Sequence, residues 1–400
     1  MLSVNNINNS SYIRRYSEHE LNHPTLEMIN ERTILIYKKI KDFFPKVINN
    51  YYEPFFGSGG VFFQLHNENK IQNSSFINDY SKSLMDFYSS ILHDNFKNEL
   101  LNISNAWDEI RDFAKAFSEK YNNDFFYSIT TDNTNGNFID NEKSLFIFNK
   151  IDIIEKKFNF HGFSLKNKII VSLNDKCSRF KKKHISVTET DVAYKCITTA
   201  ICQAFYFTIR DMYNNWNNHG HMENYTQEER SAQWFFIREY CFGSMFRFNP
   251  KGDFNVPYGG FSYNNKCFAC KIEKILDPQI RNLFSNAHMY NDDFENLMTS
   301  WETNKDDFMF LDPPYDSIFT EYDNNGFGKD EHIRLKNTLD NIKCNWLMAI
   351  GKTDFIAKLY KDYSILEYDK TYMYQARGTY ASKHTTHLLI ANYSLSPINV

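Results

Sequence analysis

A short apolar run that ends in two consecutive prolines is the feature that most constrains the fold of this 400-residue chain. The run extends from Phe308 to Leu311 and has the length and apolar character of a buried strand. The residues that follow it are Asp312, Pro313, Pro314 and Tyr315. Proline has a fixed φ and no amide hydrogen, so this tetrapeptide cannot continue a central hydrogen-bonded ladder. The sequence therefore predicts a strand that stops at Leu311 and carries polar groups at its carboxyl end.

The tetrapeptide offers hydrogen-bond acceptors beside a stacking surface. An oxygen of Asp312 and the carbonyl oxygen of Pro313 are adjacent acceptors, which suit a planar amino group with two N–H donors. Tyr315 supplies a ring face on which the heterocycle that bears this amino group can stack. A proline-rich turn after an edge strand has the same local sequence, so an isolated match leaves both interpretations open.

A second motif is a glycine-rich turn near the amino end of the chain. A strand pattern enters the segment Glu53-Pro54-Phe55-Phe56-Gly57-Ser58-Gly59, and its glycines permit positive φ and close approach to a ligand. The next strand-like segment ends at Asp79, 22 residues after Gly57. In nucleotide-binding βαβ units, an acid roughly 20 residues on binds ribose hydroxyls. No lysine follows the glycines, so the turn favours an adenosine without a polyphosphate.

Together these motifs resemble those of the Dam-like, class alpha, adenine-N6 DNA methyltransferases, whose cofactor is S-adenosylmethionine. The resemblance covers most of the chain and implies that the catalytic residues are Asp312, Pro313, Pro314 and Tyr315. It implies that the cofactor-binding residues include Glu53, Phe55, Gly57, Gly59, Asp79, Asp293 and Phe294. Within that set, the resemblance implies that Asp79 holds the ribose and that Asp293 lies near the adenine of the cofactor.

One part of the family pattern is missing from the chain. The family usually begins with a Trp-x-Gly-Gly-Lys segment that closes over the methionine end of the cofactor, and no such run is present. Spacing back from Pro45 places Arg32 or Thr33 near the family's lysine position, and we take Arg32 as the candidate. Arg14 and Arg15 remain alternatives for the same contact.

Basic residues concentrate in one segment of a chain whose net charge is −4. The segment from Glu155 to His184 contains nine lysines and arginines and two acids, so its net charge is +7. Such a run is often a solvated face, but beside a DNA-modification motif it predicts a surface that contacts phosphates. The candidates at its end are Arg179, Lys181, Lys182 and Lys183. By resemblance, Arg247 occupies the position of a guanine-reading arginine, and a structural arginine in a hairpin is the alternative.

The order of strand and helix patterns predicts an α/β fold with an inserted domain. We expect a Rossmann-like methyltransferase sheet with helices on both faces, formed by residues 1–93 and 284–400. Residues 94–283 interrupt the alternation and are too long for a connecting loop. By resemblance, this mainly helical insertion is a target recognition domain that binds duplex DNA.

Composition restricts where such a protein works. No apolar run in the sequence approaches the roughly 20 residues of a membrane span, and the amino terminus lacks a signal-peptide pattern, so we expect a cytoplasmic protein without membrane contact.

Seven scattered cysteines do not form a disulfide framework. Cys267 and Cys270 have metal-like spacing without a second pair, so we interpret them as alternating core positions of a strand and expect no metal.

Several alternatives follow from the same residues. Cytosine-N4 methyltransferases usually have Ser at the position of Asp312, and protein glutamine methyltransferases favour Asn there. Methyl transfer to RNA adenine fits the amine chemistry equally well. The missing amino-terminal segment leaves open a catalytically silent DNA-binding module. The expected setting is a restriction-modification system or an epigenetic system. The sequence does not determine whether a cognate restriction endonuclease is a partner, nor the recognition site, nor the oligomeric state.

Overall fold

The computed structural model describes residues 37–130, 138–182, 190–218, 225–244, 247–314, 327–376 and 379–395. These residues fall into two compact units. The first unit runs to Tyr80 and resumes at Asp277, and the second runs from Ser81 to Leu276. The helix that begins at Lys82, which the sequence patterns placed with the sheet, therefore belongs to the second unit.

In the described part of the first unit, seven strands form one sheet. The strands are β1 (Tyr51–Glu53), β2 (Ser75–Asn78), β3 (Ala287–Tyr290), β4 (Phe308–Leu311), β5 (Asn345–Gly351), β6 (Ser364–Ala376) and β7 (Thr379–Ala391). Their order is β3-β2-β1-β4-β5-β7-β6. Neighbours among β1 to β5 pair in parallel, and β7 pairs antiparallel with both β5 and β6. The predicted α/β class with a mostly parallel sheet is confirmed.

Helices connect the strands and build the second unit. Within the described ranges they are α1 (Gly60–Asn67), α2 (Lys82–Ser90), α3 (Asp94–Thr130), α4 (Asn141–Lys157), α5 (Leu165–Lys182), α6 (Thr190–Asn218), α7 (Gln227–Tyr240), α8 (Phe268–Ile275), α9 (Pro278–Ser285), α10 (Phe294–Ser300), α11 (Lys329–Leu339) and α12 (Asp354–Leu359). Helices α1 and α9 to α12 lie in the first unit, and α2 to α8 lie in the second.

The core of the first unit follows from the continuous apolar runs of its central strands. All four residues of β4 are buried, and so are five consecutive residues of β5 from Trp346 to Ile350. Side chains alternate between the two faces of a strand, so an unbroken apolar run indicates a strand covered on both sides. Leu388 and Ile390 of β7 extend the same cluster. These strands form a rigid base for the loops at their carboxyl ends.

The second unit is mainly helical among its described residues and has an aromatic core. Its long helix α3 packs along α6 and α7. Trp107 of α3 lies at the centre, with ring centroids 5.6 Å from Phe205, 5.5 Å from Phe236 and 4.8 Å from Tyr240. A core of this size supports an independently packed unit.

Helix α6 corrects one expectation from composition. Its stretch Asp191–Trp216 is long and apolar enough to cross a membrane by length and composition, although the sequence patterns indicated no such segment. Most of that stretch is buried inside the protein, as in the core helix of a soluble domain. The helix is therefore only weak support for a membrane span.

The cysteine pair in the second unit corrects another expectation. Cys267 and Cys270 are joined by a disulfide, and they lie at the start of a helix rather than in a strand. The Cys267 sulfur caps α8 by accepting a hydrogen bond from the Cys270 amide at 3.2 Å. Both residues are exposed, whereas the five other cysteines are buried. The spacing of three residues therefore reflects one helical turn.

Candidate active site

The glycine-rich turn and the proline-containing tetrapeptide leave the same edge of the sheet from neighbouring strands. Strands β1 and β4 are parallel, with Tyr51 opposite Phe308 and Tyr52 opposite Met309. The strand order reverses between them, because β2 and β3 lie on one side and β5 on the other. Ligands of open α/β sheets bind at the carboxyl ends of strands at such a switch point. Both motifs flank this crevice.

The end of β4 presents its carboxylate outward. Leu311 is fully buried, whereas Asp312 is exposed, Pro313 is buried and Pro314 is exposed. The buried Pro313 fixes the direction of the chain as it leaves the sheet. Tyr315, the predicted stacking residue, lies outside the described residues. Asp312 thus reaches the surface at the carboxyl end of β4.

The turn after β1 depends on glycine at two positions. Gly57 and Gly59 have φ values of 49° and 67°, which favour glycine. A Cβ at Gly59 would overlap the Phe56 ring. Gly59 also precedes α1 as its N-cap, so the turn delivers the chain directly into that helix. A turn with glycine on both sides of Ser58 allows a nucleoside to approach the backbone closely.

Asp79 holds this turn in place. Its Oδ2 accepts a hydrogen bond from the Gly57 amide at 2.9 Å. The preceding residue adds a backbone link, because the Asn78 carbonyl accepts a hydrogen bond from the Phe56 amide at 2.8 Å. The predicted ribose-binding acid is therefore brought to the predicted cofactor turn.

Glu53, the first residue of the turn motif, is an almost fully buried acid. It is 2% exposed, and the Tyr51 hydroxyl donates a hydrogen bond to its Oε2 at 2.8 Å. Burial raises the pKa of the Glu53 carboxyl well above its usual range. The Tyr51 hydrogen bond lowers this pKa in part, while the negative charges of Asp312 and Asp79 raise it further. The folded protein therefore favours the protonated form of Glu53 more than water does.

Asp293 and Phe294 follow β3 and occupy a dense contact network. Asp293 caps α10 by accepting a hydrogen bond from the Glu295 amide at 2.9 Å, and its other oxygen accepts one from Arg334 at 2.5 Å. The Arg334 guanidinium lies 4.5 Å from the centroid of the Phe294 ring. Phe294 packs against Phe55 of the glycine turn at 5.5 Å. Arg334, which sequence reasoning missed, thus contacts both Asp293 and Phe294, and Phe294 in turn contacts Phe55.

Sequence reasoning also missed Asn78, a buried side chain beside Asp79. Its amide nitrogen donates to the carbonyl oxygens of Pro54 and Asp292, each at 3.1 Å. Its Oδ1 accepts from the Asp292 amide at 2.9 Å. The adjacent Asn-Asp pair at a strand end was the available signal, since polar residues rarely complete buried strands without partners.

A family model for the D12 class of N6 adenine-specific DNA methyltransferases matches residues 35–374. The chain belongs to this family. The D12 assignment confirms the predicted resemblance to adenine-N6 DNA methyltransferases and identifies an enzyme whose substrate is DNA. Membership implies dependence on S-adenosylmethionine in general.

Relatives of this D12 methyltransferase come from a virus, an archaeon and bacteria. The type II methyltransferase M.CviBI of Paramecium bursaria Chlorella virus NC1A is 31% identical over 223 residues, which cover 54% of this chain and 83% of that protein. The type II methyltransferase M.MjaIII of Methanocaldococcus jannaschii is 30% identical over 202 residues, or 47% of this chain and 64% of that protein. The retron Ec67 DNA adenine methylase of Escherichia coli is 25% identical over 163 residues, or 40% and 52%.

The predicted DNA-contacting residues lie in the second unit of this methyltransferase. Arg179 is exposed on α5, and Lys181 and Lys182 lie in the same helix. Arg247 is exposed on a short ribbon, where its Nε donates a hydrogen bond to Asn255 Oδ1 at 3.0 Å. Arg32 and Lys183 lie outside the described residues.

Several charges of the basic segment are engaged within the second unit. Lys157 pairs with Glu109, and Lys168 pairs with Asp211. Lys166 bonds Asp152 at 2.5 Å. The net positive charge available to an external anion is therefore smaller than the count of residues suggests.

Proposed function

We propose that this D12 methyltransferase moves the methyl group of S-adenosylmethionine to the N6 amine of an adenine flipped out of duplex DNA. The observation that carries this proposal is the exposed Asp312 next to the buried Pro313, at the strand beside the glycine turn. Two acceptor oxygens at this point match the two N–H donors of the adenine amine.

The residues of the turn fit the proposed cofactor. Open space lies where a Cβ on Gly57 would stand, and Asp79 supplies a carboxylate for ribose hydroxyls. Phe55, which is partly exposed and packs on the buried Phe294, offers an apolar surface beside the turn that suits the adenine ring. Bound S-adenosylmethionine supplies an electrophilic methyl group on a sulfonium sulfur.

Asp312 and Pro313 act on the nucleophile. The adenine N6 lone pair is delocalised into the ring, which makes the amine a poor nucleophile. Hydrogen bonds from its two N–H groups to Asp312 and to the Pro313 carbonyl draw the nitrogen toward tetrahedral geometry. Positive charge develops on the nitrogen during transfer, so an ionised Asp312 stabilises the transition state more than the ground state. Positioning and electrostatics account for the step without a base before transfer. As the bond between N6 and the methyl group forms, the bond from that methyl group to the sulfonium sulfur would break and leave a neutral thioether, and the methylated amine would then lose one N6 proton.

Flipping provides access to this pocket. An adenine stacked in a duplex cannot reach it, and extrusion costs a few kcal/mol that protein contacts offset. We assign the stacking contact to Tyr315, which is a sequence-based assignment. The second unit is the proposed target recognition domain, with Arg247 as a candidate base reader and Arg179 as a candidate phosphate contact.

The relatives indicate a biological setting. Two of them are named type II methyltransferases. We therefore propose that this enzyme belongs to a restriction-modification system in the cytoplasm and protects DNA from a cognate endonuclease. The alternative function is that of a DNA-binding module without catalytic activity, and it is based on the missing Trp-x-Gly-Gly-Lys segment.

Two measurements test the proposal. Calorimetric titration with S-adenosylmethionine should show uptake by the wild-type protein, and absence of uptake would leave only the silent module. Labelled S-adenosylmethionine should then transfer its methyl group to duplex DNA. Faster transfer to an RNA of the same sequence would identify RNA as the substrate and contradict the proposal.

A further inference from the structure

We propose that Asn78 is a positioning residue that preforms the cofactor pocket by tying together the two loops that line it. This inference rests on the proposed cofactor site and adds a residue that contacts neither the cofactor nor the reacting amine. Asn78 ends β2, the strand between β1 and β3. It therefore lies between the glycine turn after β1 and the Asp293 segment after β3.

The hydrogen bonds of Asn78 reach both neighbours. On the β1 side, its amide nitrogen donates to the Pro54 carbonyl at 3.1 Å, and its backbone carbonyl accepts from the Phe56 amide at 2.8 Å. On the β3 side, its amide nitrogen donates to the Asp292 carbonyl at 3.1 Å, and its Oδ1 accepts from the Asp292 amide at 2.9 Å. One side chain thus fixes the residue before Asp293 and the second residue of the turn motif.

Only an amide meets this set of demands. Two carbonyl oxygens need donors and one amide needs an acceptor, and an Asn side chain offers both kinds of group. Asn78 is 1% exposed, so water cannot readily replace a lost bond. An Asp at this position would direct a carboxylate toward the Pro54 and Asp292 carbonyls, which repels both loops. Asn78 therefore holds the glycine turn after β1 and the Asp293 segment after β3 at one fixed distance from each other.

A second asparagine reinforces the β3 side. Asn291 donates to the carbonyl oxygens of Asp79 at 2.8 Å and Tyr80 at 3.1 Å. Asp79 in turn accepts from Gly57 in the turn. Asn291 is exposed, so its removal perturbs the packed interior less than removal of Asn78.

A loop pair that is held in its binding geometry before the ligand arrives has a higher affinity, because little ordering is left to accomplish on binding. Asn78→Asp should therefore raise the Kd of S-adenosylmethionine at least tenfold in calorimetry. At saturating cofactor, kcat should stay within about threefold of wild type, because Asp312 and Pro313 are untouched. DNA retention should not change. The substitution should thus raise the KM for the cofactor and leave kcat nearly unchanged.

Asn392→Asp is the control for loss of a bridging asparagine away from the pocket, at an exposed position. Asn392 also bridges backbone groups of the same unit, donating to the Cys344 carbonyl at 2.9 Å and accepting from the Trp346 amide at 2.8 Å. These bonds lie at the amino end of β5, away from the ligand edge of the sheet. The control should lower Tm while the Kd of the cofactor stays at the wild-type value.

The outcomes separate the inference from the proposed function. An unchanged Kd in Asn78→Asp, or an equal rise in Asn392→Asp, overturns the positioning role alone. If Asn78→Asp does not fold, Asn291→Ala must raise the Kd at least threefold, and an unchanged value overturns the role. No cofactor uptake by the wild-type protein overturns the proposed function and the inference with it.

Discussion

Glu53 is an acid in an environment that opposes its charge. It is 2% exposed, Tyr51 donates to it, and the negative charges of Asp312 and Asp79 act on it. Burial is the largest of the causes that raise the pKa of this carboxyl. Perturbed acids of this kind concentrate at functional sites, which agrees with its position at the switch point of the sheet.

The raised pKa of Glu53 predicts a pH-dependent stability. Above about pH 4.5 the unfolded chain loses the Glu53 proton, while the folded protein retains it to higher pH, so stability falls as pH rises. Gln is neutral throughout. The free energy of unfolding of Glu53→Gln relative to wild type should therefore increase as the pH rises above about 5, by up to about 1.4 kcal/mol per pH unit. Urea denaturation at each pH measures this difference, and a constant difference would show that the carboxyl titrates normally.

At the scale of elements, β1 and β4 are joined at the end opposite the active site. Asp307, just before β4, is 2% exposed. Its Oδ1 accepts from the Asn49 side chain at 2.8 Å and from the Asn50 amide at 3.0 Å, and its Oδ2 accepts from the Asn304 amide at 2.8 Å. This carboxylate aligns the two strands whose opposite ends carry the motifs.

Removal of the Asp307 carboxylate should destabilise the fold without weakening the cofactor site. Asp307→Ala leaves three donors without a partner, and we expect a loss of about 3 kcal/mol in chemical denaturation. Asp306→Ala, at the exposed neighbour, should cost less than about 0.5 kcal/mol. A cofactor Kd that rises with the loss of stability would contradict the separation between the two ends of the strands.

The elements that the sequence predicted carry local signals. The Phe308–Leu311 strand is an apolar run that is followed by prolines. The glycines of the turn after β1 predict positive φ, which the structure has at Gly57 and Gly59. Contacts that depend on distant partners were not predictable in this way. Asn78 bonds Asp292, and Arg334 bonds Asp293. In each pair the two residues are more than 40 positions apart in the sequence. The prediction that Cys267 and Cys270 occupy alternating core positions of a strand was wrong, because the two residues lie about one helical turn apart at the start of α8.

At the scale of the whole molecule, the net charge does not show which charged side chains are available to DNA. The chain carries −4 overall, and three of the nine lysines and arginines of its basic segment, Lys157, Lys166 and Lys168, pair with acids of the same unit. DNA affinity that arises from phosphate contacts falls with salt according to the number of charges that meet phosphates. The residues that matter are therefore those whose charge faces solvent.

Arg179 and Lys168 provide a matched pair for this prediction. Arg179→Ala should reduce the slope of log K against log salt for DNA binding by about 1, because an exposed charge is lost. Lys168→Ala should change the slope by less than half as much, since Lys168 pairs with Asp211. Fluorescence anisotropy at several salt concentrations measures both slopes. Equal slopes for the two variants would remove Arg179 from the DNA-contacting surface.

The central claim is that Asp312 and the Pro313 carbonyl grip an adenine amine during methyl transfer. The most direct measurement is single-turnover transfer of labelled methyl from S-adenosylmethionine to duplex DNA, followed by separation of the nucleosides. The wild-type enzyme should yield N6-methyldeoxyadenosine, and Asp312→Ala should slow its formation at least 100-fold while retaining DNA, as expected for loss of one preorganised transition-state contact. Undiminished transfer by Asp312→Ala, or label on cytosine, would contradict the account.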